Sequence, residues 1–145
     1  MIKSEHDSND GGVLISNGRS SVRLTRVGEP IDSGYELGYP LLYDVKAGPF
    51  SGSVRSETVR LENFRAQLGQ LYATLVGSAI LESYNGSGLD LIGDGRGGIA
   101  VRVKIVADHL QLIQLTFSIS IDQSFLPAII RQLDIEFPPP YRAAV

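Results

Sequence analysis

The chain has 145 residues, 43% of them apolar and 20% charged, with thirteen Lys/Arg against sixteen Asp/Glu and a net charge of −3. That suits one soluble globular domain with its own core, and it argues against a general phosphate-backbone binder, which carries a basic surplus. The absence of cysteine excludes disulfides, thiolate metal sites and cysteine nucleophiles, and it fits a reducing compartment.

Residues 1–10 are polar and offer nothing to bury, so a frayed tail is expected there. The same stretch lacks the apolar region of a secretory signal. No window approaches the roughly 18 uninterrupted apolar residues of a membrane span, and the expected location is cytoplasmic. Val13-Leu14-Ile15, the turn signal Asn17-Gly18 and the alternating Val22-Arg23-Leu24-Thr25 predict a β-hairpin. Residues 28–34 read as loop. Residues 39–47 form a third strand, with Pro40 near its start, where a missing N–H is tolerated. Gly48-Pro49 turns the chain into a fourth strand over residues 50–55.

Leu61, Phe64, Leu68, Leu71 and Leu75 then draw one apolar stripe at helical spacing. Ser56 or Thr58 supplies the expected N-cap oxygen, and Glu57 a negative charge near the positive end of the dipole. Gly77 is placed to stop the helix in a left-handed conformation. Gly69, costly in a helix, suggests either a closely approaching strand or no role.

Residues 79–81 and 89–92 predict two short strands around a loop over 84–88. Ile99, Val101, Val103, Ile105 and Ala107 alternate with Ala100, Arg102, Lys104, Val106 and Asp108, a half-buried antiparallel strand. Leu115, Phe117, Ile119 and Ile121 repeat the pattern after a turn at Asp108-His109. A last helix carries Leu126, Ile129, Ile130 and Leu133. Pro127 belongs in its first turn, which favours Ser124 over Asp122 as the cap.

The order is β4–α–β4–α, and the predicted class is α+β: a mainly antiparallel twisted sheet or open sandwich of about eight strands with two packed helices. The domain covers residues 11–137. Pro138-Pro139-Pro140 opens a stiff Pro-rich tail over 138–145.

Gly93-Asp94-Gly95-Arg96-Gly97-Gly98 fits G-x-G-x-x-G, but a strand follows where the dinucleotide fingerprint needs a helix. A hairpin whose turn needs positive φ explains the glycines, with Asp94 and Arg96 exposed at its tip. The two histidines, His6 and His109, have no metal-ligand spacing, and no nucleophile motif accompanies the serines. The acids Asp32, Glu36, Asp44, Glu82, Asp90, Asp94, Asp108 and Asp122 are scattered, mostly at turns and strand edges. Arg102 and Lys104 form at most a small basic patch on a wet strand face. Tyrosine is more suggestive. Tyr35, Tyr39 and Tyr43 cluster, and tyrosine joins apolar area to a polar tip, as interfaces favour; rings that pad the sheet rim are the alternative.

Four stretches in succession carry a family resemblance: Ala47-Gly48-Pro49-Phe50-Ser51-Gly52, the helix from Leu61-Glu62-Asn63-Phe64 to Leu75-Val76-Gly77, Gly93-Asp94-Gly95-Arg96-Gly97, and Ile121-Asp122-Gln123-Ser124-Phe125-Leu126. In this order and spacing the chain resembles the WapI-like immunity proteins of bacterial polymorphic toxin systems, from about Tyr39 to about Leu133. The resemblance implies a cytosolic protein that neutralises a cognate toxin domain by direct binding. It supplies no catalytic motif, and no cofactor, metal, nucleic acid or membrane contact is expected. Such an interface buries on the order of 1,600 Å² around aromatic anchors. The residues expected there are Tyr35, Tyr39, Tyr43, Asp94 and Arg96. Two other classes stay open: a small enzyme with an unrecognised carboxylate site, and a structural domain that self-associates through a sheet edge.

Overall fold

The computed structural model describes residues 11–108, 110 and 113–140; the expected tail over 1–10, residues 141–145 of the expected tail over 138–145, and His109 of the expected turn lie outside the described residues. Chain order is β1 (Val13–Ser16), β2 (Ser20–Arg26), β3 (Ile31–Asp32), β4 (Leu37–Gly38), β5 (Pro40–Ala47), β6 (Phe50–Val59), α1 (Leu61–Thr74), β7 (Val76–Ser83), β8 (Gly88–Asp94), β9 (Gly98–Asp108), β10 (Ile113–Asp122), a 3₁₀ turn (Gln123–Phe125) and α2 (Leu126–Glu136). The fold is α+β, as expected. Eight strands form one antiparallel sheet in the order β1-β2-β5-β6-β7-β8-β9-β10, with four strands before α1 and four after it. The expected loop over 28–34 contains the start of a small ribbon, β3–β4, whose two-residue strands are too short to show a period.

The sheet has a narrow waist. β6 meets β7 only at Thr58↔Ser83 and Val59↔Glu82, so the two four-stranded halves bend around a shared interior. Inward residues of both halves line that interior, including Val22, Leu24, Leu41, Val45, Leu81, Leu89, Leu91, Val101 and Ile119. α1 adds Leu61, Phe64, Leu68 and Leu71; α2 adds Leu126, Ile129 and Leu133.

Each helix also closes an open strand edge. α1 lies along β7 where β6 leaves it, and Gln67 Oε1 accepts the Ile80 N–H at 2.9 Å. α2 covers β1. Gln132 Oε1 accepts the Leu14 N–H at 3.0 Å, and Glu136 accepts the Gly12 and Arg26 N–H groups at 3.0 and 2.8 Å. One helical turn separates Gln132 from Glu136, which puts both on the face toward β1. Arg65 joins the helices by donating to Glu62 at 2.8 Å, to Asp134 at 2.6 Å and to the Phe137 carbonyl at 2.6 Å.

Helix ends depart from the sequence reading. Ser56, Glu57 and Thr58 belong to β6, and Thr58 Oγ1 instead accepts the Tyr39 N–H at 3.0 Å. Arg60 precedes α1 in the left-handed region at φ 53°, with no side-chain cap; its N–H is held by Glu36 Oε1 at 2.7 Å. Leu75, at φ 66°, ends the helix, while Gly77 lies within β7. No strand approaches Gly69, which faces open space. α2 starts after Phe125 with no side-chain cap, so Ser124 does not cap it; Asp122 organises the turn before the helix, as its place at the end of the last strand predicts, its carboxylate accepting the Ser124 N–H at 2.8 Å. Pro127 sits in the first turn of α2, as its fixed φ requires. Near the end of β9 a register shift buries Val106 and exposes Ala107, breaking the expected alternation.

Candidate interaction surface

The three clustered tyrosines separate completely. Tyr43 is 0% and Tyr39 3% exposed, so neither lies on the surface expected for it; Tyr35 is 97% exposed beyond β3. Leu41, Tyr43 and Val45 of β5, and Tyr39 just before it, share the inward face, which is why both rings enter the core. Tyr43 reaches the waist, where its hydroxyl hydrogen-bonds Ser83 Oγ and Ser83 donates to the Ser87 carbonyl at 2.7 Å. Ser87 Oγ in turn accepts the Val106 N–H at 2.9 Å. Burial pushes the Tyr43 phenol well above the ordinary tyrosine range. Tyr39 packs edge-on against Phe137 at 5.5 Å, and its hydroxyl donates to the Pro138 carbonyl at 2.6 Å.

The glycine-rich run is the β8–β9 hairpin, with Asp94 and Arg96 exposed at its tip, as expected. Gly95 and Gly97 have φ of 83° and 103°, which L side chains rarely adopt. Asp94 Oδ1 accepts the N–H groups of Arg96 at 2.7 Å and Gly98 at 3.0 Å. Those donors hold the Asp94 carboxyl below the ordinary carboxylate value, and Ser124 does the same for Asp122. A lowered folded-state pKa gives stability that is present above about pH 4 and lost as pH falls through the lowered value. Carboxyl NMR titration should therefore find Asp94 and Asp122 ionising below the ordinary aspartate midpoint of roughly 3.9. A midpoint at or above it would mean these turns open in solution.

The outward face of the second half of the sheet carries a feature the sequence reading did not assemble. Antiparallel register aligns Ile80, Asp90, Arg102 and Ser118 in one cross-strand row, and Glu82, Gly88, Lys104 and Thr116 in the next. These rows line a groove of about 730 Å³ across four strands. Gly88 deepens it. A Cβ there would stand 2.2 Å from the Leu81 carbonyl oxygen, so only glycine fits. Arg60, whose N–H is held by Glu36 of the Tyr35 loop, pairs with Glu82 at 2.9 Å at one end of the groove. Asp94 ends β8 on the opposite side and Arg96 lies past it, about 20 Å away at the usual strand rise.

Charge on the groove is unbalanced in place. Asp90 Oδ1 is out of solvent contact and accepts no hydrogen bond, although Asp90 stands opposite Arg102. Neither Arg102 nor Lys104 enters an ion pair among the described residues. The first half of the sheet differs. Its outward groove, about 470 Å³, holds an Asp44 bonded to Ser53 and an Arg23 bonded to the Gly11 carbonyl, beside a Lys46 that enters no ion pair among the described residues. Among the described residues no cluster of three His, Asp or Glu side chains is placed to hold a metal ion. No helix among them is long and apolar enough to cross a membrane.

A family model described as the immunity protein WapI-like family matches residues 15–138. The match takes in the waist, both helices, the hairpin and the groove, and it reaches further toward the N-terminus than the resemblance read from the motifs. No curated protein and no solved structure matches the chain.

Proposed function

The chain belongs to the immunity protein WapI-like family, and on that premise we propose that it is a non-catalytic, cytoplasmic inhibitor that neutralises a cognate bacterial toxin domain by direct binding. The family match over residues 15–138 is the observation that carries this reading. The architecture supports it. A sheet whose β1 edge is closed by α2 offers a stiff surface, and inhibition by occlusion asks for a surface rather than chemistry. Tyr35, Asp94 and Arg96 remain exposed and keep their proposed place at the interface; Tyr39 and Tyr43 leave it.

Co-expression tests the function. The C-terminal domain encoded immediately upstream should arrest growth alone, and this chain should restore growth and co-purify with it. A harmless upstream domain, or toxicity that the chain does not relieve, would reduce the family match to a likeness of fold. Within a confirmed complex, Asp94→Asn with Arg96→Ala is expected to weaken binding at least about tenfold. The same pair should move Tm by no more than about 2 °C, because Asn keeps an acceptor for the turn and Arg96 is exposed. Unchanged affinity would remove the hairpin tip from the interface.

A further inference from the structure

We propose that the groove on the outward face of β7–β10 is the toxin-docking site, and that it receives a protruding loop of the toxin carrying a basic side chain to Asp90 and an acidic one to Arg102 and Lys104. This rests on the toxin-binding reading and adds to it the surface and the chemistry of the partner.

Three observations converge. The first is the orphaned carboxylate oxygen. Asp90 Oδ1 lies out of solvent contact without a hydrogen bond, a costly state for a charged group, and an entering cation relieves it once the half-buried side chain turns that oxygen toward the groove. The second is the free cations. Arg102 and Lys104 project from the neighbouring strand with no acidic partner among the described residues, so the groove sets unpaired donors beside the half-buried Asp90. The third is shape. The depression spans about 730 Å³ and is floored at Gly88, where no side chain other than hydrogen fits. A concave site takes a convex occupant. Two copies of this chain facing each other through the same groove would enclose a void, which packing disfavours; a loop from a different protein fills it.

Asp90 also makes an unusual prediction possible. Aspartate in a strand is unfavourable by propensity, and a carboxylate oxygen out of water without a hydrogen bond adds to that. Asp90→Thr should therefore raise Tm by a few degrees and weaken toxin binding about tenfold or more. A purely structural residue would not move stability and binding in opposite directions. Arg102→Glu with Lys104→Glu should weaken binding about a hundredfold by meeting the loop with the wrong sign. Ser118→Trp, which fills the groove and removes no charge, should weaken it likewise.

The experiment measures each variant's ability to displace the wild-type chain from its complex with the upstream-encoded domain. Tm of each variant and sedimentation of the chain alone are recorded alongside. If the wild type forms no complex, the toxin-binding reading fails and this inference with it. If the wild type binds and Asp90→Thr, Arg102→Glu/Lys104→Glu and Ser118→Trp compete as well as it does, the groove is not the site, while the function stands. A chain that self-associates through these residues and leaves toxin binding untouched overturns the proposed occupant. Loss of competition by all three with Tm held or raised supports it.

Discussion

Tyr43→Ala is expected to destabilise the protein by about 3–5 kcal/mol, whereas Tyr43→Phe should cost about 1–2 kcal/mol. The difference separates two contributions of one buried side chain. Removing the ring leaves a cavity where both halves of the sheet meet, at the point where only Thr58–Ser83 and Val59–Glu82 join them. Removing the hydroxyl alone leaves Ser83 still donating to the Ser87 carbonyl at 2.7 Å, so little of the network is orphaned. Urea denaturation of the three proteins measures both values. For a chain of this size about 2–4 °C of Tm accompanies each kcal/mol, so Tyr43→Ala should melt roughly 10 °C below the wild type. The ionisation sign agrees. Burial raises the folded-state pKa of Tyr43, so its contribution is complete below the unfolded value of about 10 and is lost as pH rises beyond it. A Tyr43→Ala protein of wild-type stability with weakened toxin binding would return this residue to the surface.

Tyr43 also marks how far the sequence could be read. Period-two alternation places Tyr39 and Tyr43 on one face of an extended chain, but periodicity identifies faces without saying which one turns inward. The signal that decides it lies beside them: Leu41 and Val45 share that face, and four bulky residues on one face belong to a core. The eight main strands, both helices and the glycine hairpin were legible because each repeats a period or a turn signal over enough residues. Helix ends were not. Leu75 and Arg60 adopt left-handed conformations that their residue types do not favour, and tertiary contacts hold them there: Gly95 donates to the Leu75 carbonyl at 2.9 Å, and Glu36 holds the Arg60 N–H at 2.7 Å. The groove was half visible. Arg102 and Lys104 were seen as outward cations, yet Asp90 and Gly88 become their neighbours only through a register that no single strand contains.

The same limit governs the glycine run, where Gly93→Ala is expected to cost about 3 kcal/mol and Gly93→Val more. Turn geometry accounts for Gly95 and Gly97, whose φ values are positive, but Gly93 is an ordinary strand residue. Its constraint is crowding. A Cβ at Gly93 would lie 2.5 Å from the Leu75 carbonyl oxygen and 2.8 Å from Leu71 Cδ1, so the end of α1 must retreat from the sheet. Backbone cannot yield as a flexible side chain can. At Gly97 the added carbon would first meet the flexible side chain of Gln123, at 3.2 Å, and strain there is set mainly by its φ of 103°. Chemical denaturation of Gly93→Ala measures the effect, and a loss under about 1 kcal/mol would mean that α1 ends more loosely than its contacts indicate. Because Gly93 faces inward and the groove outward, Gly93→Ala protein that remains folded should bind the toxin with wild-type affinity. Asp90→Thr, only three positions away on the same strand, should do the reverse. Stability and recognition in β8 are thus divided between its two faces, and this pair of substitutions separates them.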